Sequence, residues 1–326
     1  MYAGIDIGGT TTQVVLCTDG LDVVDRAEVP TPAAEGGDAM VGAALGALRG
    51  LLDRTPAARL TGVGVGAAGV VDARTGHILV ASDSFTGWAG FAVTKTVEAA
   101  LGVPAFLDND VNAFLRGEAS RGAVAGEPYA LGIMLGTGVG GALWLGGELF
   151  EGLHGAAGEI GHVPGFGDIR CTCGGHGHLE TLASGRSIAA RYRERTGNIA
   201  TAKQVGAAAG RGDADALAVF DAAGAALARA IVIVAGVADV TTVVVGGGVS
   251  GAWHLLEPRI LAALAAEPPV SGVPITLVRA ALGSSAVAVG AASRTRTELT
   301  ATGTAGAPAA SGAAKAPESA GSAVPG

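Results

Sequence analysis

The chain has 326 residues, with 21 Lys and Arg against 29 Asp and Glu, for a net charge of −8. That length accommodates two domains with a core each, and the acidic balance disfavours a nucleic-acid or anionic-membrane partner, which requires a basic face. Glycine supplies 55 residues without a collagen period, and three cysteines (Cys17, Cys171 and Cys173) are too few for a disulfide framework, so the Cys-x-Cys pair points to metal.

From the N-terminus, residues 2–17 alternate apolar and small side chains around Gly8-Gly9-Thr10, which predicts strand, tight turn, strand. A third strand is expected over 21–29, then a helix over 38–52 with Asp38 as its N-cap. A buried strand follows at 60–65, then a glycine loop, a turn at 72–76, a helix over 91–101 and a short strand at 105–108. This succession is α/β. No basic leader precedes Asp6, and apolar runs such as 231–237 fall short of the ~20 residues a bilayer needs. The expectation is a cytoplasmic protein with no membrane partner.

Residue 130 starts a second copy of the beginning. Segments 2–15 and 130–145 both run strand, Gly-Thr turn, strand, with Thr10 and Thr137 in the two turns. One duplicated unit per half implies two similar domains facing each other across a cleft. Helical patterns occupy 201–238, a strand 241–245, a helix 252–266, a strand 275–278 and a last helix 284–298. The expected organisation is an N-terminal lobe over 1–115, a C-terminal lobe over 116–282, a final helix within 283–298 packing back on the first lobe, and a disordered tail over 299–326. The tail is Ala, Gly, Ser, Thr and Pro, with too little large apolar surface to offset the cost of ordering.

Glycine turns let backbone N–H groups approach a phosphate without a Cβ in the way. No Gly-Lys pair occurs, so the P-loop is excluded. Gly64-Val-Gly66-Ala-Ala-Gly69 fits GxGxxG, but Val70-Val71-Asp72 stands where a helix should open, which suits a structural or substrate-side loop. Gly246-Gly247-Gly248-Val-Ser-Gly251 follows a Val-rich strand and precedes a helix. A dinucleotide site is the rival there, with Arg279 near the end of the next strand, but it leaves the other loops unused. The loops at Gly8–Thr12 and Gly136–Gly141 sit in hairpins. Two hairpin loops in duplicated domains plus a third turn suit an actin-like ATP cleft. Its phosphate and nucleotide contacts would be Gly8, Gly9, Thr10, Thr11, Gly136, Thr137, Gly138, Gly246, Gly247 and Gly248. Asp6 would orient Mg²⁺ through water, or else cap its turn.

Leu107-Asp108-Asn109-Asp110-Val111-Asn112 lies at a strand end before a helical stretch. Phosphoryl transfer to a hydroxyl needs a carboxylate to accept the proton, and Asp110 is the candidate base. Asn109 can both donate to and accept from a hydroxyl. The alternative for this segment is helix capping by Asp108 or Asp110. Downstream, His162, Cys171, Cys173 and His178 have the makings of a closed, structural tetrahedral zinc site, with His176 a rival to His178. Glu159 and Glu180 flank that knuckle, and both could accept hydrogen bonds from one polyol, or remain solvated surface charges.

These residues together resemble the ROK family (repressors, uncharacterised reading frames and sugar kinases), from Tyr2 to about Ser293. The motifs are Asp6-Ile-Gly8-Gly9-Thr10, Leu135-Gly136-Thr137-Gly138-Val139-Gly140-Gly141, Val245-Gly246-Gly247-Gly248-Val249, Asn109-Asp110, Glu159-x-Gly161-His162 and Glu180. The resemblance implies two ribonuclease H-like, actin-like ATPase domains around a central cleft. It implies an ATP- and Mg²⁺-dependent kinase for a hexose or hexose-like polyol, a structural Zn²⁺, and a homodimer. Asp110 would be the base, Asn109, Glu159, His162 and Glu180 the sugar contacts, and the turn after Val245 the adenosine contact; His162 would serve zinc and sugar at once. Gly69 and Ser84 are added as acceptor-side contacts. The chain departs from the family pattern at four places. His178 stands at the third zinc cysteine, and Thr11 follows Gly-Gly-Thr where Lys is usual. Ala68 replaces a common Pro, and Ser84-Phe-Thr-Gly-Trp88 replaces Asn-Leu-x-x-Trp. A kinase for an N-acetylhexosamine or a cyclitol, and a non-catalytic sugar-binding member, are the alternatives; a regulator would need a DNA-binding domain ahead of Asp6.

Overall fold

The computed structural model describes residues 1–82 and 84–304. Two five-stranded sheets form its frame. The first opens with an antiparallel meander, β1 (Tyr2–Ile7), β2 (Thr11–Cys17) and β3 (Val23–Pro30). Helix α1 (Gly37–Arg54) leads to β4 (Gly62–Ala67), and a small hairpin of β5 (Val70–Asp72) and β6 (His77–Val80) follows. Helix α2 (Val93–Leu101) then brings in β7 (Ala105–Asn109). Strands β4 and β7 extend the sheet in parallel, giving the order β3-β2-β1-β4-β7.

Helix α3 (Asp110–Arg121) follows β7 without a loop and delivers the chain to β8 (Tyr129–Leu135), β9 (Val139–Leu145) and β10 (Glu148–Phe150). After a glycine-rich excursion come α4 (Glu180–Ala183), α5 (Gly185–Thr196), α6 (Ala202–Gly210) and α7 (Ala214–Ala238). Strand β11 (Thr242–Gly246), α8 (Trp253–Ala266) and β12 (Thr276–Arg279) complete the second sheet. Its order, β10-β9-β8-β11-β12, repeats the first sheet position by position, with the same antiparallel meander and the same parallel extension. The duplication expected from the two Gly-Thr turns is therefore a duplication of topology.

Helix α9 (Ala286–Thr304) lies across β1 and β4 and crosses α3. Small residues permit that crossing. A Cβ on Gly4 would overlap the Ala288 carbonyl, and one on Gly290 would overlap the Ala113 carbonyl, so glycine is required for backbone to touch backbone. Leu, Val and Ile from both sheets fill the cores, with Trp88, Phe114 and Phe220 the largest wholly buried side chains. The strand β4, buried along its whole length, has no polar alternation because both its faces are covered.

Three local expectations change. Helix α1 is capped by Gly36 at φ 101°, not by Asp38, which sits in the first turn, where a carboxylate still favours the helix dipole. The apolar run at 231–237 belongs to α7, whose 25 residues are long and apolar enough to cross a membrane. Here α7 is a core helix, with Phe220, Leu227 and Ile231 buried and α4, α5, α6 and α8 packed around it. The last helix runs to Thr304, so residues 299–304 are not part of a disordered tail. The Thr300 and Thr302 hydroxyls donate back to the carbonyls of Arg296 and Glu298 and fit the helix without competing for its bonds. The remainder of the expected tail, 305–326, lies outside the described residues.

Candidate active site

Asp6, Gly66 and Asp108 are register partners on β1, β4 and β7, so the strands' C-terminal ends set Asp6 and the Asn109-Asp110 pair on one edge of the first sheet. In open α/β sheets that edge is where ligands bind. Asp110 is the first residue of α3 and is half-buried, as is Asp6. Burial pushes the Asp6 carboxyl up to about 8, with the charge of Asp110 adding to the rise. Burial likewise pushes Asp110 up to about 6, against the pull of the Val111 N–H, which donates to it at 3.0 Å; the Glu159 charge adds to the rise. A carboxylate poised near 6 is ionised at neutral pH yet basic enough to hold a proton.

The helix cap is Asn109, and neither Asp108 nor Asp110. Its Oδ1 accepts from the Val111 and Asn112 N–H groups at 2.9 and 3.2 Å, and its Nδ2 donates to the Gly69 carbonyl at 3.0 Å. That leaves one amide hydrogen for a ligand and fixes the direction in which it points. Gly69 therefore enters the site as the anchor of Asn109. Its φ of 109° and the Val80 carbonyl lying where a Cβ would go both require glycine. Ser84 is exposed and its Oγ lies 2.6 Å from the Ser82 Oγ. Among the described residues no hydrogen bond joins Ser84 to Asn109, Asp110 or Glu159. Its neighbour Phe85 lies against Gly9 of the first turn.

Both glycine turns are closed from within. The Gly8 N–H donates to the Thr11 carbonyl at 3.2 Å, and the Gly136 N–H donates to the Gly138 carbonyl at 3.0 Å, so these two amides are committed to the turns. Gly9, Thr10 and Thr137 are exposed at the tips, with Thr11 half-buried behind the first. The second turn borders a cavity of about 710 Å³ between α5, α6 and the start of α8. Its lining includes Gly136, Thr137, Arg186, Lys203, Gly248 and His254. A Cβ on Gly136 or Gly248 would meet nothing within 4 Å, so bare backbone faces the cavity there. Gly246 and Gly247 are not in this lining. A Cβ on Gly246 would strike the Phe114 ring, and one on Gly247, at φ 85°, the Leu135 backbone, so both are packing glycines.

Arg186, Lys203 and His254 were not among the residues expected from sequence. Arg186 and Lys203 carry the same signal, since each stands second in a helix, capped by Ser184 and Thr201 respectively, where the dipole disfavours a cation unless an anion is to be met. The Gly185 N–H donates to the Gly136 carbonyl at 2.8 Å, which fixes the start of α5 to the glycine turn.

Glu180, the buried first residue of α4, joins that turn to the cysteine knuckle. Its Oε1 accepts from the Thr172 hydroxyl at 2.7 Å and the Cys171 thiol at 3.2 Å. Its Oε2 faces Gly138, where a Cβ would come within 2.8 Å. Burial works against its ionisation, but the bonds from Thr172, Cys171 and the Val139 N–H, with the nearby His162, hold the carboxyl below the usual range. Glu180 is thus already bonded within the protein. Glu159 is exposed, directly before a 3₁₀ turn (Ile160–His162), and its carbonyl accepts the His162 N–H at 3.1 Å.

One ligand atom each from His162, Cys171, Cys173 and His178 lies within 4.8 Å of the others. The Cys171 Sγ is 3.6 Å from the His162 Nδ1, and the Cys173 Sγ is 3.2 Å from the His178 Nδ1. Tetrahedral zinc, with bonds of about 2.0–2.3 Å, spaces its ligand atoms roughly 3.3–3.8 Å apart, so the donor set and its spacing fit that ion. His176 is exposed and stands outside the group.

A model of the ROK family matches residues 2–298. The glucokinase of Halalkalibacterium halodurans is 36% identical over 276 residues, 79% of this chain and 83% of its own length. Among solved structures, the ROK hexokinase of Thermus thermophilus superposes with a TM-score of 0.79 at 30% identity, covering 92% of this chain and 99% of that one. The ROK glucokinase of Streptomyces griseus, in complex with glucose and AMPPNP, gives a TM-score of 0.77 at 28% identity, covering 89% of this chain and 97% of that one.

Proposed function

This chain belongs to the ROK family, and from that membership we propose that it is an ATP-dependent kinase that phosphorylates a hydroxyl of a hexose or hexose-like polyol, in the manner of a glucokinase. One observation carries the reading: a single glycine turn is shared by two environments. Gly136 and Thr137 of that turn line the large cavity, Gly138 touches Glu180, and Gly140, just beyond it, packs on Val111 beside Asp110. A donor held in the cavity with its phosphates at this turn would present them beside the carboxylates.

Asp110 takes the proton from the acceptor hydroxyl as its oxygen attacks the γ-phosphorus and the bond to the ADP oxygen breaks. Asn109, Glu159, His162 and Glu180 position the acceptor; Asn109 does so with the one amide hydrogen its cap leaves free. Exposed backbone at Gly9, Thr10 and Thr137 supplies donors for the phosphates. Asp6 has no ion-pair partner among the described residues, and a half-buried carboxylate facing another is the environment a cation relieves. Asp6 would hold Mg²⁺ through water, and the bound ion would neutralise charge on the phosphates. His162, Cys171, Cys173 and His178 would hold a structural Zn²⁺ that fixes the knuckle around Glu180. We extend the reading to a cytoplasmic homodimer on family membership.

The test is ADP production from ATP and Mg²⁺ across glucose, N-acetylglucosamine, N-acetylmannosamine, fructose and a cyclitol. The expected result is acceptor-dependent ADP release with at least one hexose, strongest with glucose. Strongest turnover with an N-acetylhexosamine would move the acceptor class, and no acceptor-dependent release with any of them would overturn the kinase.

A further inference from the structure

Beside the acceptor carboxylates lies a second charged cluster that the reaction does not use directly. The Arg116 Nε, on α3, donates to the Asp108 Oδ2 at 2.8 Å, and its Nη2 donates to the Glu151 Oε1 at 3.0 Å. Arg294, on α9, reaches the same two carboxylates, at 3.3 Å each. Asp108 is 1% exposed and directly precedes Asn109 and Asp110; Glu151 directly follows β10 and starts the segment that ends at Glu159. The cluster therefore binds the base-bearing end of the first sheet to the foot of a second-lobe loop.

That loop has little else to hold it. Its glycines at 152, 155 and 158 all take positive φ, at 72°, 71° and 89°, and Leu153 is 92% exposed. It closes on itself through the Ala157 N–H, which donates to the Glu151 carbonyl at 3.2 Å, and its far end packs where Gly158 and Gly141 touch. This short, closed loop joins Glu151 to Glu159, whose charge is felt by Asp110.

We propose that Arg116 is a positioning residue: by clamping Asp108 and Glu151 together across the two lobes, it sets the distance between the base and the acceptor-binding carboxylate Glu159. The role rests on the kinase reading above. The forked guanidinium matters, because it serves two carboxylates in fixed directions, whereas an ammonium on a flexible stem does not.

Steady-state kinetics of Glu151→Gln, Arg116→Lys and Arg116→Met, with acceptor and ATP varied separately, test it. Glu151→Gln is the mild variant, since Glu151 is 37% exposed and its loss leaves both arginines on Asp108. Arg116→Met removes a charge that faces a buried carboxylate and carries a folding risk. The expected result is a fall of roughly tenfold in acceptor kcat/KM for Glu151→Gln, expressed mainly in acceptor KM, with ATP KM within about twofold of wild type and the melting temperature little changed. Arg116→Lys should fall between wild type and Arg116→Met. Acceptor constants that stay at wild-type values in Glu151→Gln, or acceptor and ATP constants that move together with a lowered melting temperature, would overturn the role and leave the kinase standing. A wild-type chain inactive on every acceptor would overturn the kinase reading and this role with it.

Discussion

The two sheets share one strand order, yet their first strands end differently. Two residues before the turn glycine, β1 carries Asp6 ahead of Gly8, while β8 carries Met134 ahead of Gly136. The first copy sets a carboxylate opposite Asp110, and the second sets a thioether and opens its turn onto a cavity lined largely by small and apolar residues. In the proposed reading the same backbone turn stands beside the base in one lobe and beside the nucleotide cavity in the other, and side chains at equivalent positions decide which.

Substitutions that blur this division should cost most where charge is involved. Asp110→Asn should lower kcat by about 10²–10⁴-fold, the usual worth of a positioned general base, while ATP binding measured by calorimetry persists. Asp6→Met, which gives the first lobe the residue of the second, should cost less turnover than Asp110→Asn and raise the Mg²⁺ concentration needed for half-maximal rate. In the Mg²⁺-free protein, replacing Asp6 by Asn has a stability signature. The Asp6 carboxyl sits at about 8 when folded against an ordinary value of 3.8, so the folded state holds a proton that the unfolded chain releases. Stability is then lost as pH rises from about 4 to about 8. Melting curves should therefore show wild type losing more stability than Asp6→Asn between about pH 5 and pH 8; parallel loss would contradict an Asp6 carboxyl held up by burial.

Gly248→Val probes the donor side. A Cβ there meets nothing, so the fold should tolerate it while ATP KM rises roughly tenfold and acceptor KM stays put, because the new side chain occupies only the cavity. Equal effects on both constants would mean the cavity does not hold the nucleotide. Smallest in turnover should be Cys173→Ser. Zinc measured by elemental analysis should drop from about one ion per chain, with the melting temperature a few degrees lower. Wild type purified without zinc in the knuckle, and unresponsive to added zinc, would contradict that site.

How far the sequence alone reaches differs between the two sides. Strand-turn-strand units, the glycine turns and the His162, Cys171, Cys173, His178 spacing are local patterns, and local patterns survive in a linear reading. Asn109 was legible as a site residue but not as a cap, because three adjacent polar residues can each cap and only the β7–α3 geometry selects one. Gly246 and Gly247 read as ligand glycines, yet Phe114 and Leu135, more than a hundred residues upstream, are what exclude a side chain there. The Arg116, Asp108 and Glu151 cluster, and the lining by His254, likewise depend on contacts between distant segments that no spacing rule encodes. Helix α9 outran its expected end because threonine hydroxyls can bond back within a helix, where composition alone suggested a tail.

The pH dependence of acceptor kcat/KM, measured with saturating ATP and Mg²⁺ in wild type, tests the central claim most directly. With burial holding Asp110 at about 6, protonation should silence the base, so the rate should climb about tenfold per pH unit below that value and level off above it. A profile flat from about pH 5 to pH 8 would contradict a base held near 6 by burial in this cleft.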